Sequence, residues 1–156
     1  MSKGLRRQGR ELALKAIYGL HEGDVAAAQF MQDFWNNFRF QDDILGEPLE
    51  EPGEAVAPDV KTFAEGLVLG AIEHLARIDE VIGEFSTNWS LERMARVDLA
   101  LLRLGVYELV HCPDVPPNVV INEAIELGKQ YGTRETQAFI NGILDKIART
   151  YRQGGK

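Results

Sequence analysis

Hydrophobic side chains return every third or fourth residue along most of this chain, and that spacing restricts it to a fold built of helices. The pattern is clearest where Val60, Phe63, Leu67, Ala71, Leu75, Ile78, Ile82 and Phe85 mark one face of a long helix, or of two with a bend near Gly70. No run of four to eight residues shows the alternation and β-branched enrichment of a half-buried strand. Leu12, Ala13, Ala16, Ile17 and Leu20 share a face of an N-terminal helix expected over residues 3–21 and stopped by Gly23 and Asp24, with a second helix over 25–40. Ser90 is placed to cap a helix over 91–111, whose centre is apolar nearly all round and belongs in the middle of the fold. Pro113, Pro116 and Pro117 end that helix, and Pro117 opens another that stops at Gly132. Thr133 then caps a last helix to about residue 152, with Ile140, Ile143, Leu144, Ile147 and Tyr151 facing inward. The class expected is all-α, without internal repeats.

The chain's 156 residues, 45% of them hydrophobic, suit one domain over 1–156 with a sizeable core. Residues 41–58 stand apart: Gly46, Pro48, Pro52, Gly53 and Pro58 lie among acids, so an exposed, mobile acidic loop is expected there. Charge is uneven. Residues 1–20 carry Lys3, Arg6, Arg7, Arg10 and Lys15 against Glu11 alone, whereas residues 41–65 carry eight acids against Lys61, within a total of −7. That total argues against indiscriminate nucleic-acid binding and leaves a basic end on an acidic body. No apolar stretch approaches the roughly 20 residues of a membrane span, and the charged N-terminus lacks a signal peptide's apolar run, so no membrane association and a cytoplasmic address are expected. The single cysteine, Cys112, has no Cys or His at metal-ligand spacing and reads as a small apolar filler; no metal or cofactor is expected.

Signatures of catalysis are missing: there is no phosphate-binding or dinucleotide glycine loop and no nucleophile elbow. His21, His74 and His111 fall in different helices or at their ends, with no acid or nucleophile nearby in sequence. Glu123 and Glu126, three apart on one helix, could form an acid/base pair, but such pairs are ordinary on solvated helix faces. Asn122, among Val119, Val120, Ile121, Ala124 and Ile125, is expected to be at least partly buried as a structural hydrogen-bonding group. On the first helix, Lys3, Arg6, Arg7 and Arg10 fall within an arc of about 100°, beside the apolar face, and Tyr18 lies within about 20° of Arg7. Guanidinium groups beside a ring suit unstacked RNA bases; a solvated basic end with Tyr18 packed on a neighbour would give the same pattern. On the last helix Phe139 stands at the margin of the apolar face with Lys146 and Arg149 on the solvent side, a geometry that fits either a stacking platform or peripheral core.

Three stretches carry a family resemblance: RRQGRELALKAIY at residues 6–18, NWSLERMARVDLALLRLGVYEL at 88–109, and DVPPNVVINEAIELGKQYGTRETQAFINGILDK at 114–146. Together they resemble the NusB family of transcription antitermination factors over nearly the whole chain, most weakly over residues 24–59. The resemblance implies a bundle of about seven helices in two packed sub-bundles, without catalytic activity. It implies that the protein pairs with NusE, a small-subunit ribosomal protein, and that the pair binds the single-stranded boxA element of ribosomal RNA transcripts. Other antitermination factors, and RNA polymerase indirectly, would join that complex. By the same resemblance, Arg6, Arg7 and Arg10 belong to the family's arginine-rich RNA-binding helix, Tyr18 and Phe139 match positions near RNA, and Asp98 matches an acidic position facing NusE. The alternative for Asp98 is an internal pair with Arg93 or Arg96. Gln8 and Gly9 interrupt the arginine run, which predicts a thinner stripe, and the acidic loop is longer than usual. Some members dimerise, so a homodimer is open. NusB-like domains also serve RNA methyltransferases, so the second reading is a detached RNA-binding or scaffold module working with an RNA-modifying enzyme or in ribosome biogenesis.

Overall fold

Seven α-helices and one 3₁₀ turn, with no strand among the described residues, make up the computed structural model, which describes residues 2–20, 26–38, 56–87 and 89–152. In chain order the helices are α1 Lys3–Tyr18, α2 Ala27–Phe38, α3 Pro58–Glu73, α4 Leu75–Phe85, α5 Arg96–His111, α6 Pro117–Tyr131 and α7 Thr136–Tyr151. The chain divides into two compact units, Met1–Glu73 and His74–Lys156. Most of the expected acidic loop, residues 41–55, and the proposed stop at Gly23 and Asp24 lie outside the described residues. Pro58 belongs to a helix, standing at the first position of α3 where its missing N–H costs nothing.

In the first unit α3 packs against α1 and α2. Leu12, Val60 and Ala64 form a core cluster closed by Trp35 and Val56, and Trp35 donates its indole N–H to Glu65 at 2.8 Å, satisfying its polar tip at the core's edge. The ideal Cβ position on Gly9 is 2.5 Å from Phe63, so only a residue without a side chain lets the α3 ring lie this close to α1.

In the second unit α5 is the central helix, packed against α4, α6 and α7. Ala100, Leu101, Leu102, Leu104, Val106 and Leu109 are all buried, as the all-round apolar pattern predicts. A Cβ on Gly105 would stand 3.0 Å from Leu144, so α5 and α7 meet at close range. Arg103 grips Asp79 through two 2.9 Å bonds, tying α5 to α4. At the other end Arg152 donates to the carbonyls of Glu108, Leu109 and Cys112, satisfying oxygens that a helix C-terminus leaves over.

Four boundaries differ from the sequence expectation. α3 and α4 separate at His74, four residues beyond Gly70, where the imidazole stacks on His111 with 3.9 Å between ring centroids. Ser90 does not cap α5: a 3₁₀ turn over Leu91–Arg93 intervenes, and extended backbone at Met94 and Ala95 carries the Met94 side chain into the core before α5 begins. α7 starts at Thr136 rather than beside Thr133, because the Thr136 hydroxyl accepts the Thr133 N–H at 2.9 Å and folds the intervening residues into a turn. The first helix ends at Tyr18 with Gly19 as its cap, before residue 21. Asn122 is also not where the sequence suggests; it is exposed. The buried face of α6 is Val120, Glu123, Ala124, Leu127 and Gly128, and Asn122 lies about 160° to 200° from Val120 and Ala124 around the axis, so apolar sequence neighbours gave the wrong side.

Candidate nucleic-acid interface

The basic face of α1 is a helix end rather than a stripe along its length. Lys3 and Arg6 are exposed and make no ion pair among the described residues, and Arg7 is half-buried. Ser2 caps this end by accepting the Leu5 N–H at 3.2 Å, and the first turn contains no acid. Cations therefore crowd the positive end of the helix dipole, an arrangement that is unfavourable until an anion arrives. From Leu12 to Ile17 every residue is buried, including Lys15, which lies 3.8 Å from Glu11.

Arg10 corrects the expectation of an exposed four-residue stripe. It is only 4% exposed, and its guanidinium lies 5.6 Å from the centre of the Phe63 ring. The same close approach that requires Gly9 brings Phe63 under Arg10, so the charge is used inside the unit as a cation–π contact. Tyr18 is half-buried at the far end of the helix. It shares Arg7's direction around the axis but stands 11 residues on, about 16 Å along it, so the ring is not beside the exposed cations.

Phe139 and Lys146 belong to the second unit. Phe139 is half-buried and meets Trp89 edge-on, with ring centroids 6.1 Å apart and planes at 78°. Lys146 is exposed two helical turns further on, on the same side as Phe139, while Arg149 pairs with Asp145 at 3.0 Å. Asp98, in the first turn of α5, is half-buried and takes neither of the arginine partners considered from sequence. Its Oδ1 instead accepts the Thr136 hydroxyl at 2.8 Å, and that hydroxyl in turn accepts the Thr133 N–H, so a three-membered relay joins α5 to the start of α7. A Cβ on Gly132 would stand 2.5 Å from the Thr136 hydroxyl oxygen, which accounts for the glycine.

Two features escaped the sequence. Trp89 is 51% exposed although it is among the largest apolar side chains of the molecule; a tryptophan between polar residues in a helix gap was the available signal. His74, Tyr107 and His111, far apart or unremarked in sequence, stack together, the two imidazoles within 16° of parallel. Glu123 and Glu126 do not pair as acid and base: the first is buried and the second binds Lys129 at 3.0 Å. Among the described residues no group of three or more potential metal ligands occurs, and no helix is long and apolar enough to cross a membrane.

Comparison with known proteins agrees with this architecture. The transcription antitermination protein NusB of Syntrophotalea carbinolica is 60% identical over 152 residues, covering 97% of each chain. A solved NusB from T. maritima is 34% identical with a TM-score of 0.73, over 94% of this chain and 92% of that one. A solved complex described as antitermination factors NusB and NusE with dsRNA contains a chain matched at a TM-score of 0.74 and 23% identity, over 96% of this chain and all of that one, a likeness of fold. The family model for the NusB family matches residues 7–149. The chain belongs to the NusB family.

Proposed function

We propose that this chain is a transcription antitermination factor that, together with a NusE-type ribosomal protein, holds single-stranded boxA-like RNA of ribosomal RNA transcripts. The observation that carries the proposal is the N-terminal end of α1, where Lys3 and Arg6 stand exposed with no ion pair among the described residues, with Arg7 beside them, at a helix whose first turn has no acid. That end supplies both helix-dipole and side-chain attraction for phosphate. Single strands are favoured because their bases are open to stacking and edge contacts, whereas the deep, narrow major groove of duplex RNA excludes side chains. The relative from S. carbinolica bears the antitermination name, and the solved complex holds a protein of this fold together with NusE and dsRNA, which supports the partner and RNA as the ligand class.

The work is binding and assembly in the cytoplasm, with no chemical step. Three cations neutralise at most about three phosphates, which gives a salt slope near −2 and weak binding at physiological salt. With a net charge of −7 the body adds repulsion. A basic partner would supply the missing positive surface. Asp98 is the candidate docking point, since Thr136 occupies only Oδ1 and the carboxylate is half-exposed.

Titration of boxA-like single-stranded RNA and of a duplex of the same sequence, each with and without the partner, tests this reading. The partner is expected to tighten single-strand binding, Asp98→Asn to weaken partner binding, and Arg6→Ala with Arg7→Ala to weaken RNA binding. Equal affinity for duplex, or no RNA binding with the partner present, would remove it.

A further inference from the structure

A hydroxyl has one proton to give, and the groups around Thr136 decide where it goes. The backbone N–H of Thr133 can only donate, and it reaches the Thr136 Oγ1 at 2.9 Å, so that oxygen is the acceptor there. The Thr133 hydroxyl lies 3.4 Å from the same oxygen but stands nearer the Glu135 carboxylate, at 3.1 Å, which takes its proton. The Thr136 proton is left for the Asp98 Oδ1, at 2.8 Å. Hydrogen bonds in series polarise one another, so the amide that donates to this oxygen strengthens the bond the oxygen's own proton makes to the carboxylate.

The side chain that makes this bond has little freedom to leave it. Thr136 is 1% exposed, and its branched Cβ restricts rotation about χ1. Two glycines close around it. A Cβ on Gly128 would stand 3.2 Å from its methyl, and one on Gly132 would stand 2.5 Å from its hydroxyl oxygen and 2.7 Å from its Cβ. Gly132 has φ −97° and ψ −170°, extended backbone that any residue adopts, so its missing side chain serves the clearance around Thr136 and not the conformation of the turn.

Asp98 is situated differently. It is half-buried in the first turn of α5 and makes no ion pair among the described residues. A short side chain that is partly in water samples several rotamers unless a neighbour holds it, and a carboxylate already held in one of them has less ordering left to lose when a partner binds.

We infer that Thr136 is a positioning residue for partner docking: its hydroxyl, fixed between Gly128 and Gly132, holds the Asp98 carboxylate in the orientation that the basic partner meets. Being buried, Thr136 acts through Asp98 and not by touching the partner. The inference rests on the docking role given to Asp98 in the previous section and adds the residue that sets it.

A double-mutant cycle with the NusE-type partner tests it, with affinity referred to the folded fraction and Tm recorded for each variant. Thr136→Val replaces the hydroxyl by a methyl of similar size and is expected to weaken partner binding by about three- to tenfold. In an Asp98→Ala background the same change is expected to leave the remaining affinity as it is. Tm should fall in both backgrounds, because the Thr133 N–H loses its acceptor in each, so stability alone does not separate positioning from a structural role. Thr136→Ser keeps the hydroxyl and should keep wild-type affinity. Gly132→Ala displaces the hydroxyl instead of removing it, and its effect on affinity should likewise vanish without Asp98, so either variant closes the cycle if the other folds poorly. Wild-type partner affinity in Thr136→Val, with Asp98→Ala weakened, would overturn the positioning role and leave the docking role standing. An equal loss of affinity with and without Asp98 would do the same, since Thr136 would then act through the fold. Partner binding unaffected by Asp98→Ala would remove the docking role and this inference with it.

Discussion

The two halves of α1 carry the same kind of residue to opposite ends. Lys3 and Arg6, in its first turns, are exposed and make no ion pair among the described residues, whereas Arg10, at its middle, and Lys15, in its last turn, are buried at 4% and 7% exposure. Helical periodicity places Arg6 and Arg10 on one side, and it does not say how deep each lies. Depth is set by α3, which packs along the later turns of α1 and brings Phe63 against Gly9 and Arg10. A cation's availability is therefore decided by where along the helix its neighbour begins.

The contrast breaks most severely in the buried half. Leu14 is fully buried, and Leu14→Ala should cost about 2–5 kcal/mol, read as a fall in the urea midpoint, while the RNA affinity of the remaining folded protein stays as it was. A smaller loss follows at Gly9: Gly9→Ala forces the Phe63 ring away from α1 and should cost about 1–3 kcal/mol by the same measurement. A stability unchanged by that methyl would mean the ring yields freely, and the reason given for Arg10's burial would go with it.

Arg10 sharpens the comparison further. Arg10→Ala removes a desolvated cation–π contact and should destabilise by about 1–2 kcal/mol, with little change in RNA binding once the folded fraction is accounted for. Loss of RNA affinity at full stability would return Arg10 to the surface.

Much of this was legible in the sequence. The 3.6-residue spacing of Val60 through Phe85 and the all-round apolar centre of α5 required helices and identified the central one of the second unit, because burial of a helix face leaves a period that needs no tertiary knowledge. The family resemblance rested on the stretches that form α1, α5, α6 and α7. What stayed hidden depends on depth, axial distance or long-range contact. Asn122 was assigned from its sequence neighbours when the angle around α6 puts it outward. Tyr18 was matched to Arg7 by angle although the helix separates them along its axis. The stacking of His74 on His111 and the bond from Thr136 to Asp98 join residues 37 and 38 apart in the chain, and no local pattern reports such pairings. Trp89 and Phe139, 50 residues apart, belong to the same class.

That the exposed end of α1, and not its buried turns, meets RNA phosphate can be measured most directly by the salt dependence of RNA binding. The slope of log K against log salt is compared for wild type, for the double variant Lys3→Ala with Arg6→Ala, and for Arg10→Ala, with Tm recorded for each. Each lost phosphate contact should reduce the magnitude of the single-strand slope by about 0.7, so the double variant is expected to fall by about 1.4 at unchanged Tm, and Arg10→Ala to keep the wild-type slope at a lowered Tm. A double variant with the wild-type slope, or an Arg10→Ala slope reduced by as much, would contradict the division of α1 into a binding end and a structural one.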